Sequence, residues 1–390
     1  MKSSPKILYV IGSLDLGGTE RQVALVAPGL KRCGWEPIIY CLSRRGIQAG
    51  QIESAGAKVI GPRWEIGVEQ TLVGKVARLL ASSVKLFALL LSLRPPIVHF
   101  FLPEAYLIGA PIAIAARVPI RVMSRRSLNI YQNKHPFLRR IERMLHPRMQ
   151  MLLANSQAVL KELSAESAVD SSVELIYNGV ELPQANVPPT PTMGSQRSFE
   201  KLTLIIVANL IPYKGHADLF HALAAVVEKF SASWELLCVG RDDGLGPTLA
   251  GLARDLRLDG RIRLLGSRAD IPALLASADI GILCSHEEGF SNAILEGMAA
   301  SLPMIVTDVG GNAEAIVDQE TGFVVPAHDP TALGAAILAL ASNPELRKKM
   351  GKAARHRVET HFSLEQCVER YDTLYRELIR KFDDSQAQAK

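Results

Sequence analysis

The sequence predicts an α/β protein made of two doubly wound, Rossmann-like domains whose parallel sheets face each other across a cleft. Three observations lead there. The chain has 390 residues with 48% hydrophobic content, more than one ordinary core accommodates. Apolar runs of strand length alternate with helix-length segments through both halves, the pattern of parallel strands covered on both faces. Between the halves lies "LPQANVPPTPTMGSQRSFEK", rich in Pro, Ser, Thr and Gln and without apolar periodicity, which reads as a linker centred near residue 195.

The elements follow in order. Residues 1–182 form the first domain, with strands expected at "KILYVIG", "EPIIYCLS", "KVIG", "IVHFF", "IRVMS", "MLLAN" and "VELIYNG". After the linker, 183–200, the second domain runs over 201–362 with strands at "LTLIIVANL", "WELLCVG", "RIRLLG", "DIGILCS", "MIVTD" and "GFVVP". Residues 363–390 form a terminal helix, apolar at Leu364, Cys367, Tyr371, Leu374 and Leu378, expected to pack back toward the first domain. Its last residues are expected to fray.

Composition narrows the function classes. The five cysteines, Cys33, Cys41, Cys238, Cys284 and Cys367, are odd in number and scattered; they read as buried thiols of a reducing cytosol rather than a disulfide or zinc framework. The N-terminal apolar run enters a Gly-rich turn and not a cleavage site, so no signal peptide is expected. The most apolar stretch, "LLASSVKLFALLLSLRPP", is interrupted by Lys85 and flanked by Arg78 and Arg94, and reads as a buried or surface-lying helix rather than a membrane span. A cytoplasmic location follows, with the inner face of the cell membrane as a further expectation.

Charge is divided unevenly. Residues 1–182 hold 23 Lys and Arg against 13 Asp and Glu, a net +10, and the rest of the chain carries −5. The excess concentrates in Arg121–Arg148, where eight basic residues face only Glu142. Interleaved Phe, Leu, Ile and Met suit a surface meeting anionic lipid headgroups or an anionic substrate; a solvated basic face is the alternative. No recognition helix or aromatic platform accompanies the charge, so nucleic acid is not an expected partner.

Ligands of open α/β sheets sit outside the carboxyl ends of the strands, at the point where the strand order reverses. "HEEGFSNAILEGMAA" leaves such a strand. Glu288 falls on the loop, Ser291 or Asn292 caps a helix, and Glu296 lies about one turn into it. Backbone N–H groups around Gly289, Phe290, Ser291 and Asn292 form an anion site with the helix dipole. Carboxylates beside that site fit an acceptor role toward the hydroxyls of a sugar or ribose. The plainer alternative makes Glu296 a partner of its own helix dipole and Glu288 a solvated loop acid.

"EEGFSNAILEGMAASLPMIVTDVGGNAEAI" followed by "TGFVVPAHDPTAL" resembles the signature region of glycosyltransferase family 4, retaining nucleotide-sugar-dependent enzymes of the GT-B fold. "VANLIPYKGH", "LLGSRADIPALLASADI", "ANSQAV", "IYNGVE" and "LDLGGTERQ" extend the resemblance over nearly the whole chain, in order. It implies that Glu288 contacts the transferred sugar, that Glu296 holds the ribose, and that the intervening N–H groups grip the diphosphate. Lys214, in "VANLIPYKGH", would neutralise the diphosphate leaving group. Asn209 stands where many relatives carry Arg; it donates a hydrogen bond without charge, which shifts the load to Lys214, to backbone donors or to another basic residue. Gly266 and Arg268, in "LLGSRAD", complete the donor set near the base.

In the first domain, Gly17 and Gly18 follow the first strand and let backbone approach phosphate or sugar, although a tight turn explains them equally well. His99 matches a position where relatives often show His-x-His, here with Phe101 second; a sugar contact or proton relay and a structural role both fit. Arg125, Arg126 and Ser127 end the fifth strand and are assigned to the acceptor side. No Asp-x-Asp or His/Asp cluster has ligand spacing, so neither metal nor cofactor is expected beyond a UDP- or GDP-sugar co-substrate. The resemblance implies same-face transfer of a hexose-type sugar to a glycan or lipid-linked acceptor in polysaccharide or lipopolysaccharide assembly. A non-hydrolysing nucleotide-sugar epimerase and a catalytically weak sugar-nucleotide-binding partner are the alternatives. A Gly-x-Gly-x-x-Gly turn is missing after the first strand, which speaks against a dehydrogenase.

Overall fold

A computed structural model describes residues 4–62, 72–167, 172–182 and 201–388; the expected linker, 183–200, lies outside the described residues. The chain divides into two compact units, Met1–Gly179 with Leu364–Lys390, and Val180–Ser363.

The first unit holds a seven-stranded sheet of β1 (Lys6–Ile11), β2 (Glu36–Cys41), β3 (Lys58–Ile60), β4 (Ile97–Phe101), β5 (Ile120–Arg125), β6 (Met151–Ala154) and β7 (Val173–Leu175). The order is β3-β2-β1-β4-β5-β6-β7, with every pairing parallel. β1 shows why the strands read as continuous apolar runs. Ile7, Tyr9 and Ile11 join one core, while Leu8 and Val10 join the core on the opposite face. With both faces dry, neither can be polar.

The terminal helix, Leu364–Gln388, closes the first of these cores. Its Leu364, Cys367, Tyr371, Leu374 and Leu378 are all buried, one apolar stripe at helical spacing. Polar ties fix its register: Trp35 Nε1 donates to Asp372 at 2.6 Å, and the Tyr9 and Tyr375 hydroxyls meet at 3.1 Å.

The second unit repeats the plan with β8 (Lys201–Val207), β9 (Ser233–Val239), β10 (Ile262–Gly266), β11 (Ile280–Leu283), β12 (Met304–Thr307) and β13 (Gly322–Val325). Its order is β10-β9-β8-β11-β12-β13, again all parallel. All thirteen strands expected from sequence are present. Strand order reverses between β1 and β4 in the first sheet and between β8 and β11 in the second, which marks where each domain can seat a ligand.

Candidate functional site

The second domain places Lys214 and Glu288 at its reversal point. After β8 the chain makes a short turn at Pro212–Lys214, then enters the helix His216–Val226 through Gly215. Gly215 has φ 73°, and a Cβ there would lie 2.0 Å from the Cys284 carbonyl oxygen. Only glycine permits this approach. His286 N–H donates to the Tyr213 carbonyl at 2.7 Å, so the exits of β8 and β11 are fastened together. The result is an ion pair between Lys214 Nζ and Glu288 Oε1 at 2.5 Å, with both side chains mostly buried. Ser285 Oγ donates to the same carboxylate oxygen at 2.9 Å.

The backbone of Glu288 and Gly289 is held from its other side by the exit of β12. A Cβ on Gly310, at φ 53°, would fall 1.8 Å from the Glu288 carbonyl oxygen, and Gly311 N–H donates to the Gly289 carbonyl at 2.8 Å. The following helix is Asn292–Ala299 with Ser291 at its N-cap, and Ser291 makes no side-chain capping bond. A helix N-terminus of this kind is suited to an anion. Glu296 lies on this helix, half-buried. The Phe290 side chain packs on Phe362, ring centroids 5.5 Å apart, and is 5% exposed. The ring completes the hydrophobic core, so only the backbone of Phe290 is left to face an anion.

Asn209 Oδ1 accepts from Arg241 N–H at 3.1 Å, tying the exits of β8 and β9. Arg241 is thus the basic residue next to Asn209; its guanidinium pairs with Asp243 at 2.7 Å. Sequence reasoning missed it because 32 positions separate the two and only adjacency of β8 and β9 makes them neighbours. Gly266, at φ 65°, ends β10 and accepts from Gly240 N–H at 3.0 Å. Arg268 nearby pairs with Asp270 at 2.7 Å on the surface.

The first domain corrects two expectations. His99 lies within β4, is completely buried, and spends both ring nitrogens internally: Nδ1 meets the Tyr375 hydroxyl at 2.6 Å and Nε2 meets Ser124 Oγ at 2.7 Å. It also stacks on Phe101 with centroids 4.1 Å apart. Burial, then the neighbouring Arg126 charge, hold its pKa well below the ordinary value. In this structure His99 is packed as a structural histidine, sealed by the terminal helix. Arg125 is likewise withdrawn from the basic segment. Its guanidinium bridges Glu142 and Glu166, each at 2.8 Å, with all three side chains 3% exposed or less. Gln132 Nε2 and the Tyr131 hydroxyl add hydrogen bonds to Glu142 at 2.7 and 2.8 Å. Burial alone would push Glu166 up, but His146, Arg125 and Gln132 outweigh it and hold its carboxyl down at about 2. Arg125 is therefore a core ion-pair hub, and Glu142 is its partner rather than a lone acid on a basic face.

Arg126 stays half-buried and donates to Asn178 Oδ1, and Ser127 lies half-buried in the turn after β5. Gly17 caps the helix Gly18–Arg32 in an extended conformation. A Cβ on Gly17 would lie 2.2 Å from Glu20 Oε2; Glu20 folds back beneath the glycine loop, and burial pushes its carboxyl up. Gln22 clasps the backbone of Gly179 with two bonds, at 2.7 and 3.1 Å. Glu20 and Gln22 stand in "GGTERQ" itself, so the motif pointed at them; their inward direction was set only by folding.

Two Rossmann-like domains, the second with the Lys214–Glu288 pair at its reversal point, define a protein of the GT-B fold. The first domain matches the family model "Glycosyltransferase Family 4" over residues 16–184 and the second matches "Glycosyl transferases group 1" over 194–357. The chain belongs to this glycosyltransferase family. The N-acetyl-alpha-D-glucosaminyl L-malate synthase of Bacillus anthracis is 33% identical over 180 residues, 45% of this chain and 46% of that protein. D-inositol 3-phosphate glycosyltransferases match as well: that of Corynebacterium efficiens is 28% identical over 60% of this chain and 58% of its own length. That of Corynebacterium diphtheriae is 26% identical over 93% and 90%. These matched segments thus span about half the length of the malate synthase and of the efficiens protein. Anabaena HepE, solved with UDP and glucose, has the same fold with a TM-score of 0.81 over 96% of this chain and all of that one, at 20% identity.

Proposed function

We propose that this protein is a retaining glycosyltransferase that moves a hexose-type sugar from a UDP- or GDP-sugar to a glycan or lipid-linked acceptor, in cell-surface polysaccharide or lipopolysaccharide assembly. The observation that carries the reading is the Lys214–Glu288 pair beside the N-terminus of the helix Asn292–Ala299. Before donor enters, the two charges satisfy each other. A diphosphate at the helix N-terminus draws Lys214 to itself and frees Glu288 to accept from sugar hydroxyls, while Glu296 takes the ribose.

Transfer then breaks the bond from the anomeric carbon to the phosphate oxygen. Lys214, the helix N–H groups and Arg241 beside Asn209 carry the charge that develops there. The acceptor hydroxyl bonds to the anomeric carbon from the same face and gives its proton to the departing phosphate oxygen. No protein nucleophile and no metal enters this step. On the first domain, Gly17 and Gly18 belong to the donor site, and Arg126 and Ser127 form the acceptor side.

Relatives support the choice of pathway: the Staphylococcus aureus protein described as "Capsular polysaccharide biosynthesis glycosyltransferase CapM" is 23% identical over 88% of this chain. Two exposed features support work at the inner membrane surface. The helix Leu72–Leu93 contains a segment, Val76–Leu93, long and apolar enough to cross a membrane. Within it Val76, Leu80, Val84, Phe87 and Leu91 expose one stripe, the arrangement of a helix lying on a bilayer. On the helix Pro136–Leu145, Phe137 and Met144 are 73% and 69% exposed among Arg140 and Arg143, a pairing suited to anionic headgroups.

The test is incubation with labelled UDP- and GDP-sugars and membrane extract. Free nucleotide together with a labelled lipid or glycan is the expected result. Epimerised or free sugar formed without acceptor would replace this reading with an epimerase, and donor binding without any movement of label would replace it with a binding partner.

A further inference from the structure

Asp218, His286 and His328 come together from three segments of the second domain. Asp218 stands in the first turn of the helix His216–Val226, His286 in the loop leaving β11, and His328 between β13 and the helix Pro330–Ala341. One ligand atom from each lies within 4.8 Å of the other two. His286 Nε2 and Asp218 Oδ2 are 2.8 Å apart, and the two imidazole rings lie tilted against each other, with centroids 3.7 Å apart and planes 37° from parallel. Asp218 and His286 are half-buried while His328 is exposed, so two groups are held and the third can swing.

The backbone supplies a second observation. His328 has φ 59°, a left-handed conformation that glycine adopts without strain and that costs another residue about 1 kcal/mol. Glycine would be the easier residue in this turn, and the sequence places an imidazole there instead.

We propose that Asp218, His286 and His328 form a binding site for a divalent transition-metal ion of the zinc type. Two imidazole nitrogens and one carboxylate oxygen are donors that zinc accepts, with water completing a tetrahedron. Calcium and magnesium require more oxygen ligands than the cluster offers. Tetrahedral binding brings ligand atoms to roughly 3.3 Å from one another, a closure that rotation of the exposed His328 provides. The ion would fasten the exits of β11 and β13 to the helix that follows Lys214. Its role is to brace the loops carrying Lys214 and Glu288, and it touches no atom of the transfer step. Sequence spacing concealed the site because Asp218 and His286 alone are 68 positions apart.

The test uses the full chain, stripped with EDTA and titrated with cobalt(II) and then zinc. Expected are a visible cobalt absorption band saturating at one ion per chain, its loss when zinc is added, and a zinc-dependent rise in melting temperature. His328→Gly removes a ligand while relieving the backbone, so it folds and loses both the band and the melting shift; His286→Gln loses the band as well. Cys33→Ser, which removes the thiol that is not fully buried, keeps all three signals. Absence of cobalt and zinc binding in the wild-type chain, a band unchanged in His328→Gly, or a band abolished by Cys33→Ser would each overturn the assignment.

Discussion

Lys214–Glu288 in the second domain and Arg125–Glu142–Glu166 in the first are both ion pairs built on parallel sheets, yet they serve opposite ends. Glu288 lies beyond the end of β11 and pairs with a lysine from a turn at the strand-order reversal. Arg125 is the last residue of β5, and its guanidinium is sunk between two acids that are 1% and 2% exposed. A pair outside the strand end can exchange its partner for a ligand. A pair inside the core cannot, because separating it leaves buried charge unmatched.

The largest expected effect tests the buried member. Arg125→Ala leaves Glu142 and Glu166 without their cation and should cost about 3–5 kcal/mol of unfolding free energy, measured by urea denaturation. A loss below about 1 kcal/mol would make the hub no different from a surface pair. Lys214→Ala is the counterpart. Turnover should fall about 10²–10³-fold, the scale for loss of one charge-stabilising donor, while stability changes little; the reverse outcome would exchange the roles of the two pairs.

Acid sharpens the same contrast. His216 is buried in the second domain with no hydrogen-bond partner on either ring nitrogen, and burial, then the Lys214 charge, lower its pKa to about 4. Its folded value lies below its unfolded value of 6.5, so the unfolded chain binds the proton more readily. Stability is complete above pH 6.5 and declines by roughly 3 kcal/mol as pH falls to 4. Glu166, held near 2 against an ordinary 4.5, adds a loss between those values. His216→Leu should flatten the upper part of the melting profile and leave the lower part, a result that differential scanning calorimetry from pH 7 to 3 would read. The smallest effect separates the two glutamates. Glu296→Ala should weaken nucleotide-sugar affinity more than Glu288→Ala, whose loss falls on sugar rather than ribose; isothermal titration with the free nucleotide and with the intact donor distinguishes them.

Strand positions were legible in the sequence because both faces of each sheet are dry, so Ile7 through Ile11 had to be apolar without interruption. The loop around Glu288 was legible too, since a carboxylate, a glycine and a helix cap at short spacing leave few arrangements. His99 and Arg125 misled for a shared reason. Each sits at or near a strand end in the chain, but burial depends on what covers that end. The cover over His99 is Tyr375, 276 positions away. The partner of Arg125 that decided its fate, Glu166, is 41 positions away.

The sequence by itself therefore determined the two α/β domains, their strands and the loop-to-helix turn that carries Glu288 and Glu296, because periodicity and local turn chemistry act within a few residues. Tertiary structure alone decided which polar groups face a ligand and which are spent on one another. It paired Lys214 with Glu288, set Arg241 beside Asn209, closed the terminal helix over His99, and gathered Asp218, His286 and His328. Each of these contacts joins residues that only the packing of distant strands, loops and helices brings within hydrogen-bonding or coordination range.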